Sequence, residues 1–516
     1  MLSLSQFFRG KHRRDCMFFP AVLVIGLLLF VLQKSSGAWE AEFDGNPDEA
    51  SHFVTGRMIW EYASHPVRSP IVWAEQYYLH YPRVGLGHWP PGYYVTEALW
   101  SLLFGSSRIS AMWLQWLLGL AALTGIYALA RPRYPLAVTS AVVLFAMASP
   151  VFQEGLEQTM AELGCLLCSV IMMHASLRLM TRPDTGANVA AGLSIAAAIL
   201  MKGTGVCFLP VPFLILFVRA KRSDKPTVSQ LRWLGISLLA LVGAGVVWYF
   251  GARDIVYWGG VTLSIPWPIL TPVRLLGWGF IGLSLFGICR EPLAIVAVCM
   301  IGSAALSSFA LRAMQEPRHW IIILPAILLL SARAVTRIRP RWLGAIPATA
   351  AVLLFPWSLY HQTSSGYRGL ISQLHLPSRM LISSGRGAVG EGGWIAEMSI
   401  AERYPASFVV RASKVLAESG WNGQNYRLVA GDRCAVEKVL DELALDAVIV
   451  DSPNIAKPPH HVLLQDALAN NLSWSICGRY ESLVAWCRMR PPVFPRKPIT
   501  ILAGGREVTE KLGTGQ

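Results

Sequence analysis

The sequence predicts a polytopic α-helical membrane protein of about eleven spanning helices, with a large first outer loop and a C-terminal α/β domain. Of its 516 residues, 53% are hydrophobic and only 15% are charged, whereas soluble proteins carry about a quarter charged residues. The apolar residues also occur in blocks long enough to cross about 30 Å of hydrocarbon at about 1.5 Å per residue. The net charge of +14 is therefore interpreted through membrane topology, and nucleic acid is not an expected partner.

The first apolar block, residues 17–33, follows a basic run at residues 9–14. This is the charge pattern of a helix whose amino end stays in the cytoplasm. No clear signal-peptide cleavage site is visible, so we expect the helix to be retained. Ten further spans are predicted at residues 108–130, 135–151, 161–179, 188–201, 206–219, 231–250, 274–289, 292–311, 319–332 and 342–359.

With this count, the loops rich in arginine and lysine all fall on the cytoplasmic side, as the positive-inside rule requires. The C-terminal domain then lies outside, and the chain is expected to be a multi-pass protein of the inner (plasma) membrane. One apolar segment, Gly92 to Phe104, is excluded from the count. Its 13 residues reach only about 20 Å, too short to cross, so we expect a helix lying in the outer interface.

Two large outer regions result, residues 34–107 and residues 361–516, and we place a domain boundary at residue 360. The tail has ordinary polarity and alternates short β-rich runs with helical stretches such as residues 435–445, which predicts a small α/β domain. Strands are expected at residues 380–384, 408–411, 427–430, 447–451, 474–477 and 483–487. Cys477 and Cys487 lie in the last two runs, and we expect a disulfide across their turn.

The tail also contains Gly385-Arg386-Gly387-Ala388-Val389-Gly390, which matches the spacing of a dinucleotide-binding loop. The acidic residue expected about twenty positions later is absent. We therefore interpret the segment as a glycine-rich turn.

The segment from Phe43 to Phe53 opens the first outer loop and is rich in residues that begin helices. Asn46 could cap a helix, Pro47 could occupy its first position, and Glu49 could complete a capping box. This structural interpretation needs Asp48 less than its neighbours, so a chemical role for Asp48 stays open beside it.

These residues, taken with others further along the chain, resemble the membrane glycosyltransferases of the GT-C superfamily. The resemblance is to the group of protein O-mannosyltransferases and aminoarabinose lipid A transferases, and it covers roughly residues 1–360 but not the tail. It rests on the order and spacing of Asp48-Glu49, Pro90-Pro91-Gly92-Tyr93-Tyr94, Phe104-Gly105 with Arg108, Ser149-Pro150 with Glu162, Met201-Lys202-Gly203 and Glu316-Pro317-Arg318-His319.

The resemblance implies an enzyme that transfers a hexose or pentose from a dolichyl- or undecaprenyl-phosphate sugar to an acceptor at the outer face. Such chemistry needs a carboxylate to accept the proton of the acceptor, and cations beside the leaving phosphate. Asp48 is the implied base, with Glu162 as a second catalytic acid. The implied substrate-binding residues are Glu49, His88, Lys202, Arg318 and His319.

Two positions depart from the pattern of the family. Glu162 stands where relatives usually have aspartate, and Trp89 stands where they have lysine before the paired prolines. The sugar and the lipid are therefore left open, and His88 could replace the missing cation. Asp48 and Glu162 could also hold Mg²⁺ or Mn²⁺, although no spacing requires a divalent ion.

Each charged residue also has a structural alternative. Glu162 could serve only as a helix start, and Lys202 could reach toward the lipid headgroups. Two other classes of protein also remain open. A transporter or flippase of lipid-linked sugars would share the basic groups without requiring an acid at position 48. A noncatalytic envelope assembly subunit would not need the outer acids at all.

Overall fold

The computed structural model describes residues 16–66, 69–85, 89–182, 184–221, 284–311, 317–337, 364–402, 404–419, 425–452, 457–492, 496–503 and 506–510. Two parts can be distinguished, an apolar helical body and a C-terminal α/β tail. The helices of the body are α1 (Phe18–Ser35), α2 (Glu49–Ser64), α3 (Pro70–His80), α4 (Gly92–Phe104), α5 (Arg108–Ala130), α6 (Leu136–Ala148), α7 (Pro150–Glu157), α8 (Glu162–Thr181), α9 (Thr185–Met201), α10 (Pro210–Lys221), α11 (Pro292–Leu311) and α12 (Leu324–Arg337). Short 3-10 helices, Gly203–Phe208 and Pro317–Ile323, precede α10 and α12.

The chain is a multi-span membrane protein. Among the described residues, five helices are long and apolar enough to cross a membrane, and the bent pair α6 and α7 raises the number to six if it forms one span. Two shorter apolar helices, Thr185–Met201 and Pro292–Ser307, coincide with two further predicted spans. The predicted spans 231–250 and 342–359, and most of 274–289, lie outside the described residues, so the count of eleven stays a prediction.

The segment set aside as too short to cross forms the 13-residue helix α4, with the bounds that the sequence indicated. Its inner face buries Tyr93 and Tyr94, whereas Leu99 and Leu103 are 59% and 77% exposed. It packs against α2 of the first outer loop. An apolar face left open to the surroundings is what a helix in a membrane interface presents.

The start of α2 differs from the expectation. The helix begins at Glu49, with Asp48 in the N-cap position and no side-chain cap hydrogen bond. Asn46 was expected to be the cap, but its Oδ1 atom accepts from the backbone N–H of Asp48 at 3.0 Å and closes a turn before the helix. Asp48 therefore occupies the N-cap position that the sequence analysis gave to Asn46, because Asn46 and Pro47 are used by that turn.

The tail is an α/β domain, as predicted. Its five-stranded sheet has the order β2 (Phe408–Arg411), β1 (Arg379–Ser384), β5 (Ala447–Asp451), β7 (Leu483–Arg488) and β6 (Trp474–Tyr480). Strand β1 pairs in parallel with β2 and β5, whereas β7 pairs antiparallel with β5 and with β6. Cys477 and Cys487 form the expected disulfide within the hairpin of the strands Trp474–Tyr480 and Leu483–Arg488. The elements are α13 (Tyr367–Gln373), β1 (Arg379–Ser384), α14 (Ala388–Ala401), β2 (Phe408–Arg411), α15 (Ala412–Val415), β3 (Ala417–Glu418), β4 (Arg427–Leu428), α16 (Arg433–Glu442), β5 (Ala447–Asp451), α17 (Pro459–Ala469), β6 (Trp474–Tyr480), β7 (Leu483–Arg488), β8 (Thr500–Ala503) and β9 (Arg506–Thr509).

The tail and the first large loop, residues 34–107, share one hydrophobic core. Phe43 and Phe53 of the loop stack with ring centroids 4.0 Å apart, in the same buried cluster as Trp394 of α14 and Ile449 of β5. All four side chains are at most 1% exposed. Helix α14 packs directly on α2. Helix α2, which follows Asp48, is therefore packed against the tail on one side.

Candidate active site

Four charged side chains meet where α2, α8 and α9 and the 3-10 helix before α12 come together. Asp48 precedes α2, Glu162 is the first residue of α8, Lys202 follows α9, and Arg318 is the second residue of that 3-10 helix. They are 6%, 2%, 7% and 9% exposed. The structure thus assembles both predicted catalytic acids and two of the predicted cations, from positions up to 270 residues apart.

The four side chains alternate in charge. Arg318 Nη2 donates to Asp48 Oδ2 at 2.5 Å, and Arg318 Nε lies 3.5 Å from Glu162 Oε1. Lys202 Nζ donates to the same oxygen of Glu162. Buried charges are tolerated only when they are paired in this way. Each acid therefore contacts a cation, and Arg318 bridges the two acids.

The electrostatics of Asp48 follow from this pairing. Burial, the largest single effect, pushes the pKa of Asp48 upward, but the charges of Arg318, His52 and Lys202 and the hydrogen bond from Arg318 together outweigh it and lower the pKa from 3.8 to about 2. The carboxylate is thus ionised at neutral pH and has a cation within hydrogen-bond distance. A carboxylate in this state is able to accept a proton.

His52 is a member of the site that the sequence analysis did not single out. It lies one turn after Asp48 on α2, and its Nδ1 atom is 3.0 Å from the hydroxyl of Tyr94. Its ring lies 4.6 Å from that of Trp89. Burial lowers the pKa of His52 to about 4, so the imidazole is neutral at pH 7. In the sequence, only the i, i+4 spacing from Asp48 indicated that His52 could lie beside that residue.

Glu49 does not join the cluster of Asp48. It is fully buried, and it accepts from Arg108 Nη1, from the backbone N–H of Thr159 at 3.0 Å and from that of Gly45 at 3.2 Å. Burial raises the pKa of Glu49 against the opposing effect of Arg108. Both oxygens are committed to protein donors, so the geometry favours a structural role over the predicted substrate contact.

The remaining predicted residues differ in what the structure says of them. His319 follows Arg318 in the same 3-10 helix and is partly buried, while His88 lies outside the described residues.

Asn46 is a further member of the site, to which the sequence analysis gave no chemical role. Its side chain contacts Arg318 Nη1 at 3.4 Å and donates to Glu154 at 3.2 Å. It thereby ties the loop that precedes α2 to α7.

The predicted divalent ion would use Asp48 and Glu162. In the part of the chain that the structure describes, no group of three or more His, Cys, Asp or Glu side chains is arranged to hold a metal. Arg318 lies between the two acids, so an ion bridging them would have to displace its guanidinium. The divalent ion stays a prediction.

Comparison with known proteins agrees with this architecture. Residues 88–250 match the family model described as dolichyl-phosphate-mannose-protein mannosyltransferase. No curated protein matches the sequence at a significant level.

Several solved structures have a similar fold, among them the following three. ArnT from Cupriavidus metallidurans in the apo state gives a TM-score of 0.57 at 15% identity, over 91% of this chain and 97% of that chain. The same protein bound to undecaprenyl phosphate gives 0.57 at 14% identity, over 93% and 99%. The archaeal oligosaccharyltransferase AglB from Archaeoglobus fulgidus, in complex with an inhibitory peptide and a dolichol-phosphate, gives 0.51 at 12% identity, over 85% and 70%.

The chain thus has a fold similar to those of ArnT and AglB, and the match of residues 88–250 to the mannosyltransferase model agrees with the resemblance found in the sequence. The structural likeness covers more of the chain than the sequence motifs do. An alignment over 91% of 516 residues cannot end at residue 360, so the structural likeness extends into the tail. The tail strands carry few residues of distinctive chemistry, which is why the motifs alone did not extend the resemblance to them.

Proposed function

We propose that the protein is a glycosyltransferase that moves one sugar from a polyprenyl-phosphate donor to an acceptor at the extracytoplasmic face. The observation that carries the proposal is the buried series Asp48, Arg318, Glu162 and Lys202, in which two acids alternate with two cations. Support comes from the fold, since the similar structures of ArnT and AglB contain undecaprenyl phosphate and dolichol-phosphate. The positive-inside pattern supports a cytoplasmic amino terminus and an outer site.

The reaction proposed for this site is a displacement at the anomeric carbon. A hydroxyl or other nucleophile of the acceptor forms a bond to that carbon, and the bond from carbon to the phosphate oxygen breaks. The electron pair leaves with the phosphate, whose added charge Arg318 and Lys202 stabilise. Asp48 takes the proton of the acceptor. Glu162 holds the two cations in place rather than reacting.

Arg318 links donor binding to the strength of the base. In the structure its guanidinium is the largest of the effects that lower the pKa of Asp48, which is about 2, and a carboxylate with this pKa is a poor proton acceptor. A phosphate bound to Arg318 would share this cation and weaken its attraction for Asp48. The pKa of Asp48 would then rise, so that the base becomes stronger when the donor is in place.

The decisive experiment is the substitution Asp48→Asn, assayed for transfer of a labelled sugar from a polyprenyl phosphate in proteoliposomes. We expect about 10² to 10⁴ less transfer, since a positioned base is lost while the size of the side chain is kept. Asp184→Asn is the matched control, because that aspartate is 45% exposed and paired with Arg178 on the surface. It should transfer normally.

Copurifying lipids should be identified by mass spectrometry, since a polyprenyl-phosphate sugar would establish the donor class. Wild-type transfer by Asp48→Asn would remove the enzymatic role of this loop. Transbilayer movement of a lipid-linked sugar without transfer would instead establish the flippase alternative.

A further inference from the structure

Two acids that precede Asp48 point into the tail. Glu42 is 1% exposed, and its carboxylate accepts from the backbone N–H of Ser365 at 2.8 Å and of Arg368 at 2.7 Å. Asp44 accepts from the hydroxyl of Ser365 and, at 2.6 Å, from Nη1 of Arg386. The segment that leads to the catalytic loop is therefore held by the C-terminal domain.

Arg386 is itself anchored within the tail. Its Nη2 and Nε atoms donate to Asp451 Oδ2 at 3.1 and 3.3 Å, and Nη2 also donates to the hydroxyl of Tyr367 at 2.8 Å. Asp451 is fully buried at the end of β5 and also accepts from Ser384 at 2.6 Å. Arg386 thus bridges two carboxylates, Asp44 from the loop and Asp451 from the sheet.

The backbone around this bridge is shaped to allow it. Arg386 lies in the turn between β1 and α14, where Gly387 has a φ of +61°, a conformation that favours glycine. On α14, a Cβ added to Gly393 would lie 2.8 Å from the Cβ of Asp44, too close without a shift of the loop. The glycine-rich sequence therefore brings the turn and helix against the loop, which gives the motif a role other than nucleotide binding.

We propose that Arg386 is a positioning residue for sugar transfer, because the Asp44–Arg386–Asp451 bridge fixes the loop that presents Asp48 to Arg318. This inference rests on the proposed function. Only three residues separate Asp44 from Asp48, and the hydrogen bond from Asp48 N to Asn46 Oδ1 stiffens the path. A shift at Asp44 is thus transmitted to the base, and a misplacement of about 1 Å can cost about 10² in rate.

The test uses the full-length protein in nanodiscs with a labelled polyprenyl-phosphate sugar. Arg386→Ala should lower kcat about 10- to 100-fold and leave KM for the donor unchanged, since the donor contacts are intact. Arg386→Lys keeps the charge and should recover part of kcat. Arg427→Ala is the matched control, because Arg427 pairs with Glu418 on the surface, where the two side chains are 71% and 60% exposed.

Hydrogen exchange provides a readout that does not depend on activity. In Arg386→Ala, peptides covering residues 43–53 should exchange faster, and those covering β6 and β7 should not. A folded Arg386→Ala protein with wild-type kcat, or with unchanged exchange at 43–53, overturns the positioning role. If the wild type transfers no sugar but exchange still rises in this segment alone, the bridge holds the loop and the proposed donor chemistry is what fails.

Discussion

Replacement of Arg318 by glutamine is the most informative perturbation of the charge series. Arg318 contacts Asp48 at 2.5 Å, Glu162 at 3.5 Å and Asn46 at 3.4 Å, so one substitution removes three contacts. Loss of one preorganised donor to a developing charge costs about 10² to 10³ in kcat. We expect a loss of at least this size for Arg318→Gln. The kcat of Arg318→Lys should lie between those of the wild type and Arg318→Gln, because one ammonium group cannot reproduce the forked guanidinium that reaches both acids.

The pH dependence gives a sharper expectation than the rate alone. The shift of the pKa of Asp48 from 3.8 to about 2 corresponds to about 2 kcal/mol in favour of the ionised form. Because this folded-state pKa is depressed, the contribution to stability is present above pH 3.8 and is lost as the pH falls toward 2. Since Asp48 also stays ionised above this range, wild-type kcat/KM should stay level down to about pH 4, where His52 gains its proton.

Arg318→Gln removes the attraction between the guanidinium and the carboxylate of Asp48, while the burial of Asp48 remains. The pKa of Asp48 must therefore rise. The acid limb of kcat/KM should move upward from its wild-type position, in steady-state assays between pH 4 and 8. Arg178→Gln, at a surface pair with Asp184, is the control and should keep the wild-type limb. An acid limb that is unchanged in correctly inserted Arg318→Gln protein would refute the claim that Arg318 sets the ionisation of Asp48.

Two further predictions concern the architecture. Reporter fusions at Ser223 and Gln516 should report opposite sides of the membrane, and a common side would overturn the predicted helix count. Replacing Cys477 by serine should remove the disulfide to Cys487 and destabilise the tail by about 2 to 4 kcal/mol, measured as a lower midpoint of denaturation of the tail signal. Non-reducing peptide mapping of the wild type should recover the two cysteines as one linked peptide, and free thiols in mature protein would contradict the assignment.

The fold was largely predictable wherever a local pattern decides the structure. The bounds of α4 and the strands β1, β2 and β5 were predicted to within a residue, because length, apolar runs and turn residues act over short distances. The start of α2 was predicted wrongly, since Asn46 has two ways to use its side chain. Sequence preference alone does not distinguish a helix cap from a turn before the helix.

The site was predictable only through the resemblance and only in part. Asp48 and Arg318 are 270 residues apart, so no periodicity connects them. Asp44 and Arg386 carry no motif that marks them as partners, and the glycines around Arg386 indicated only a turn. Their pairing depends on how the turn between β1 and α14 packs against the loop. This is a tertiary contact, which local sequence does not encode.

The bridge between Asp44 and Arg386 also has a consequence for biosynthesis. Asp44 emerges from the ribosome early, whereas Arg386 and Asp451 are made only after all the helices of the body described here. A chain still being inserted would hold its lipid-facing helices and its base, yet lack the residues that fix that base. On the proposed function, sugar transfer would then begin only after the last quarter of the polypeptide has been made and has folded against the loop.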